Sequence, residues 1–178
     1  MKHQLLIVDG YNMIGAWPEL AKLKKQNELE LARDTLLKQL SEYAAYLRIE
    51  VVVVFDAQFV PGITKSYQKY NLEVVFTGSD ETADDYIETY AYQRLDYKTQ
   101  VTVATSDLAE QWHIFSIGAL RKPARELYQD LARNKKKIQR AVSNYRQTYQ
   151  TKRLTWSDEQ LDELQAILNK MQNLDENN

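Results

Sequence analysis

Hydrophobic runs that stop at an acid constrain this chain most. Leu5-Leu6-Ile7-Val8 stops at Asp9, and Val51-Val52-Val53-Val54-Phe55 stops at Asp56. Val101-Thr102-Val103-Ala104-Thr105-Ser106 leads into Asp107, and a fourth acid, Asp84, opens a helical segment in Thr82-Ala83-Asp84-Asp85. An unbroken β-branched and apolar run such as 50–55 reads as a central strand covered on both faces. In an open parallel sheet, side chains at the carboxyl ends of the strands converge on one crevice. Carboxylates gathered there repel each other and are costly to desolvate unless a cation neutralises them. A Mg²⁺ or Mn²⁺ site is therefore expected, and such sites serve phosphate chemistry.

The rest of the chain alternates strand with helix. Strands are expected at 4–8, 50–55, 72–76 and 100–104. Leu29, Leu36, Leu40, Tyr43 and Leu47 recur near helical spacing and predict a helix over about 28–47. Residues 57–71, with Pro61-Gly62, Lys65, Lys69 and two tyrosines, read as a loop. A helix is expected at about 82–95, and another starts near Ser106-Asp107, where either residue can cap it. Over 106–122 the residues Trp112, Ile114, Phe115 and Ile117 fit a longer helix or a short strand equally well. Pro123 suits the first turn of a helix running to about 148. Ser157 and Gln160 fit a capping box, and Leu161, Leu164, Leu168 and Met171 give a last amphipathic helix. This alternation predicts an α/β sandwich with a mainly parallel sheet. One domain spanning 1–178 is expected, with helices over 123–172 packed on it as a C-terminal extension.

The 178 residues include no cysteine, which removes thiolate catalysis and zinc–sulfur sites. With five glycines and no phosphate-cradling glycine motif, an organic nucleotide cofactor is not expected. The first apolar run is too short for a signal peptide or a membrane span, so a cytoplasmic protein with no membrane partner is expected. A net charge of −2 hides an asymmetry. Residues 121–153 hold eleven Lys or Arg against Glu126 and Asp130, a local +9 that leaves −11 elsewhere. Such a segment suits a polyanion, although a solvated helical face is the plain alternative. Arg121, Lys122, Arg125, Lys135, Lys136, Lys137 and Arg140 are the expected RNA-binding residues.

Asp9-Gly10-Tyr11-Asn12, Val54-Phe55-Asp56-Ala57, Glu81-Thr82-Ala83-Asp84 and Thr105-Ser106-Asp107 occur in an order that resembles the NYN branch of the PIN-like nucleases. The resemblance is strongest to the YacP-like NYN family of bacterial endoribonucleases. With Gly118-Ala119-Leu120-Arg121-Lys122 and Ala124-Arg125-Glu126-Leu127 it spans about residues 4–130. It implies a three-layer α/β/α PIN-like sandwich, a divalent metal, cleavage of single-stranded RNA such as mRNA to leave a 5′-phosphate and a 3′-hydroxyl, and a connection with translating ribosomes.

The expected catalytic set is Asp9, Asn12, Asp56, Glu81, Asp84 and Asp107, with Asp9, Asp84 and Asp107 as metal ligands. Asn12 is placed to orient Asp9 or the attacking water, or merely to stabilise a turn. At about 100° per residue, Asp84 shares a helix face with Ile87 and Ala91, whereas Asp85 shares one with Glu88 and Tyr92. Asp84 is therefore the expected inward carboxylate. His3 and His113 are not well placed to act as a base, so water activated by metal fits best. Tyr11, Tyr67, Tyr70, Tyr128, Tyr145 and Tyr149 are candidates for stacking on bases, though most tyrosines pack internally. A haloacid-dehalogenase-type phosphatase would need a second acid at position 11, which is Tyr. A different class of reading is a non-catalytic RNA- or ribosome-binding module that keeps the fold.

Overall fold

In the computed structural model, β1 (His3–Asp9) is the middle strand of a five-stranded sheet. The structure describes residues 2–56, 72–78 and 80–153. Beside β1 lie β2 (Glu50–Phe55) and then β3 (Glu73–Phe76) on one side, β4 (Thr99–Thr105) and then β5 (Leu120–Pro123) on the other. Every pairing is parallel; Asp9 is level with Val54, and Val8 with Ala104. The chain runs outward from β1 through β2 to β3, then returns to build β4 and β5 on the opposite side. The order of strands thus reverses between β1 and β4, which is where an open α/β sheet forms its crevice.

Two apolar layers flank the sheet. Leu6, Val8, Val51, Val53 and Phe55 face α1 (Gly10–Ala16), α2 (Pro18–Lys25), α3 (Leu29–Leu47) and the start of α6 (Ala124–Arg153). Leu5, Ile7, Val52, Val54, Val101 and Val103 face α4 (Ala83–Arg94) and α5 (Leu108–Ser116). The period-two alternation of strand side chains sends neighbouring residues to opposite layers, so β2 reads as one continuous apolar run. Trp17 is fully buried and its indole N–H donates to the Ala124 carbonyl at 3.0 Å, which ties the α1–α2 junction to the start of α6. The architecture is the expected α/β fold.

The sequence left two parts of this core unassigned. Residues 10–25 form α1 and α2, each only about two turns long and too short for a helical period to recur. The Trp112–Ile117 ambiguity resolves as helix, and β5 follows it. A Schellman turn ends α5: Gly118 N–H donates to the Phe115 carbonyl and Ala119 N–H to the Ile114 carbonyl. Gly118 has φ +92°, a conformation that glycine adopts without strain. That turn sends β5 back beside β4. Pro123 ends β5, and the helix begins one residue later.

The chain divides into two units, residues 1–134 and 135–178. In the second unit the helix continues to Arg153, with Lys135, Lys136, Lys137 and Arg140 exposed. The loop expected at 57–71 and the last helix expected from Ser157 lie outside the described residues.

Candidate metal centre

Asp9 ends the central strand and caps α1. Its Oδ1 accepts the Asn12 backbone N–H at 3.0 Å, and its Oδ2 accepts from the Asn12 side-chain amide at 2.5 Å. The Asn12 carbonyl in turn accepts from the Ser106 hydroxyl, which joins the end of β1 to the end of β4. Gly10 is required beside Asp9, because a Cβ there would come within 2.2 Å of the buried Phe55 ring. Asp9 is 3% exposed, and burial pushes its pKa above the ordinary carboxylate value against the pull of the Asn12 hydrogen bonds.

Asp84 enters from α4. Ile87 and Ala91 on its face are fully buried, while Tyr92 on the Asp85 face is exposed. The Thr82 hydroxyl caps the helix by accepting Asp85 N–H at 3.1 Å and donates to the Asp85 carboxylate at 2.8 Å. Asp85 is thus engaged at the cap and Asp84 is left to the crevice. Partial burial raises the Asp84 pKa, and the charges of Asp9, Asp107, Asp85 and Asp56 raise it further.

The third carboxylate is Glu110, which sequence reasoning missed. It lies in the first turn of α5 and is 9% exposed. One oxygen each from Asp9, Asp84 and Glu110 lie within 4.8 Å of one another, a ligand-sized group among the described residues. Both Glu110 oxygens are buried without a well-formed hydrogen bond, although the Thr105 side chain is near enough to oppose the shift. Burial first, then Asp9, Asp84 and Asp107, lift its pKa to about 8. The one trace in the sequence was the Asp107-x-x-Glu110 spacing, which marks a helix start but is equally the spacing of a capping acid.

Asp107, expected as a ligand, caps α5, with Oδ1 accepting Ala109 N–H at 2.7 Å, and lies outside the close group of three carboxylates. Its charge still reaches Asp84 and Glu110. Asp56 is half-buried after β2, and its charge raises the pKa of both Asp9 and Asp84. Glu81 precedes α4; the Tyr86 pKa is raised by burial first, then by the charges of Glu73 and Glu81. Neither histidine serves the crevice: His3 pairs with Glu50 at 2.6 Å and His113 with Glu88 at 2.5 Å.

The basic residues near β5 part company, as successive strand residues do. Arg121 donates to the Gln111 amide oxygen at 2.8 Å, on the α5 side. Lys122 pairs with Asp130 at 2.5 Å, on the α3 and α6 side. Arg125 is exposed at the start of α6. Two of the candidate stacking tyrosines are turned to packing. Tyr11 stands edge-on to Phe55 at 5.1 Å, and Tyr128 packs on Trp17 at 5.4 Å and donates to Glu19. The side chains of Tyr67, Tyr70, Tyr145 and Tyr149 lie outside the described residues.

The model of the YacP-like NYN domain matches residues 6–169. The chain belongs to the YacP-like NYN domain family. Bacillus subtilis (strain 168) YacP is 49% identical over 138 residues, which cover 78% of this chain and 81% of that protein. A crystal structure of Rae1 (YacP) from Bacillus subtilis matches with a TM-score of 0.73 and 43% identity, over 93% of this chain and 94% of the other. A crystal structure of a single-residue variant of the same protein matches with a TM-score of 0.69 and 46% identity, over 79% and 82%. The NYN domain is a nuclease family whose members generally use divalent metals, and it points to RNA as the substrate. Among the described residues, no helix is long and apolar enough to cross a membrane.

Proposed function

We propose that this chain is a divalent-metal-dependent endoribonuclease that cleaves single-stranded RNA in the cytoplasm, with mRNA and a connection with the ribosome as the family resemblance implies. One observation carries the reading. Glu110 is a buried carboxylate with no good hydrogen-bond donor, set against two further carboxylates. A protein gains nothing from that arrangement without a cation, because each buried charge is costly and the three repel. The residues therefore fit Mg²⁺ or Mn²⁺, with Asp9, Asp84 and Glu110 as ligands and Asp56 and Asp107 supplying the charge around them.

A metal held there lowers the pKa of water and offsets charge on the phosphoryl oxygens. The chain's own residues do the positioning. Asn12 holds both oxygens of Asp9, and Ser106 fixes which way the Asn12 amide points. Thr82 keeps Asp85 at the cap, so that Asp84 alone turns inward. Arg121, Arg125, Lys135, Lys136, Lys137 and Arg140 attract the phosphates, while Lys122 is paired with Asp130.

The test is cleavage of single-stranded RNA with added Mn²⁺ or Mg²⁺. Asp9→Asn keeps the shape and removes a charge; it is expected to lower the rate at least about 100-fold, as loss of preorganised charge does. If the parent protein binds RNA and leaves it intact under both metals, the non-catalytic module takes the place of this reading. Replacing Lys135, Lys136 and Lys137 with Gln is expected to flatten the salt dependence of RNA binding by up to about three units of slope. An unchanged slope would make that segment a solvated face.

A further inference from the structure

We infer that the outward face of α5 is a stacking platform for the bases of single-stranded RNA whose backbone passes the acidic crevice. The inference rests on the ribonuclease reading above. Leu108, Trp112 and Phe115 are spaced i, i+4 and i+7, so they share one side of the helix. They are 68%, 68% and 60% exposed. On the opposite side the polar Gln111 is buried at 3% exposure, beside Ile114. The helix thus presents its largest apolar side chains to solvent and hides an amide. An exposed apolar stripe of this kind marks a binding surface.

The residues beside the stripe select nucleic acid as its occupant. The Arg121 guanidinium lies 6.0 Å from the centre of the Trp112 ring. It is held there by Gln111, whose own amide N–H donates to the Thr105 carbonyl at 3.1 Å. A fixed cation beside an exposed indole offers a face for a base and a charge for its phosphate. The stripe begins in the turn of α5 that carries Glu110, on the side of the helix turned away from that inward acid, and Phe115 lies about 10 Å further along the axis. An RNA strand that reaches the carboxylates would round the start of α5 to lay its flanking bases on Trp112 and then Phe115. Tyr11 and Tyr128 are half-buried with their rings against Phe55 and Trp17, so the exposed Trp112 and Phe115 are better placed for this role.

The experiment uses the full chain carrying Asp9→Asn, to prevent cleavage, and a short single-stranded oligoribonucleotide. Trp112→Ala in that background is expected to weaken binding about 5- to 100-fold, whereas Trp112→Phe keeps most of it. RNA is expected to quench tryptophan emission in the Asp9→Asn protein and much less in the Trp112→Phe variant. Probes with one abasic position, moved along the strand, sharpen the test. One or two positions should weaken binding to the Asp9→Asn protein and have no further effect on the Trp112→Ala variant. Because the Trp112 side chain is exposed, both variants are expected to fold, which circular dichroism checks. Unchanged affinity in Trp112→Ala, or equal losses on every abasic probe, would overturn the platform and leave the ribonuclease reading standing. Absence of RNA binding by the Asp9→Asn protein itself would overturn both.

Discussion

The starts of α4 and α5 carry the same local signature and use it in opposite ways. In α4, Thr82 and Asp85 satisfy each other across the first turn, and the acid that reaches the crevice is the residue between them, Asp84. In α5, Asp107 caps the helix through Ala109 N–H, but its own N–H turns to the Thr105 hydroxyl at 3.1 Å. That leaves Glu110 with no reciprocal capping bond, and it faces inward. A Thr-x-x-Asp or Asp-x-x-Glu spacing fits a capping box in either case. What separates the two is whether the last acid of the motif is held at the cap. Where it is held, it serves the helix; where it is not, it is available to a cation.

The largest effect expected from this contrast is on catalysis. Asp84→Asn and Glu110→Gln should each reduce RNA cleavage about 100-fold or more, comparable with loss of one preorganised electrostatic contact. Asp85→Asn should change it only a few-fold, since its carboxylate is bonded to Thr82. Single-turnover rates at saturating RNA measure this directly. A dead Asp85→Asn enzyme with an active Asp84→Asn partner would reverse the assignment within α4, and an active Glu110→Gln enzyme would do the same for α5.

A second effect sharpens the difference through pH. Glu110 has a pKa of about 8 in the folded protein, while a Glu in an unfolded chain titrates near about 4.3. Between those values the folded state keeps a proton that the unfolded state has lost. Metal-free stability should therefore be greatest at the acid end and fall as pH rises from about 5 to about 8. The raised pKa values of Asp9 and Asp84 act in the same direction. Glu110→Gln should flatten the upper part of that slope and raise metal-free stability near neutral pH. Asp85→Asn should leave the slope as it is. Thermal melts across this pH range, with chelator and then with Mn²⁺, provide the comparison. A slope that survives in Glu110→Gln would assign the titration to another group.

The smallest effects concern the caps themselves. Thr82→Ala should cost about 0.5–2 kcal/mol in denaturant unfolding. Asp107→Asn should cost less than about 0.5 kcal/mol, because Asn caps as well as Asp. Any larger loss of cleavage in Asp107→Asn would then report its charge rather than its cap. A destabilised Asp107→Asn protein would mean that the α5 cap depends on charge, as the α4 cap does not.

The fold was legible because its strands are short apolar runs and its helices α3 and α4 show a clear period. Asp9 and Asp84 were legible for the same reason: one ends a run, and the other shares a phase with Ile87 and Ala91. Glu110 was not, since nothing in its own neighbourhood separates an inward acid from a capping one; that depends on the Thr105 hydroxyl, which belongs to a strand. Residues 10–25 were missed because two helices of seven and eight residues are too short to establish a period. The strand β5, Leu120-Arg121-Lys122-Pro123, is four residues with two charges and a proline at a sheet edge, and no composition rule marks it as a strand.

The Ser106–Asn12 contact has a consequence for how the protein comes to exist. Its partners are 94 residues apart in sequence, and they meet only when β4 docks on β1. Parallel pairings of that separation are slow to form, since the closing entropy is lost before the contacts are gained. A nascent chain that has emerged only through β2 and β3 holds Asp9 and Asp56, but not the acids of α4 and α5. The like charges are therefore expected to converge late, on the native side of the barrier, as folding and unfolding rates of Glu110→Gln would check. Their repulsion then speeds unfolding more than it slows folding, so a bound cation acts chiefly by lengthening the life of the native state.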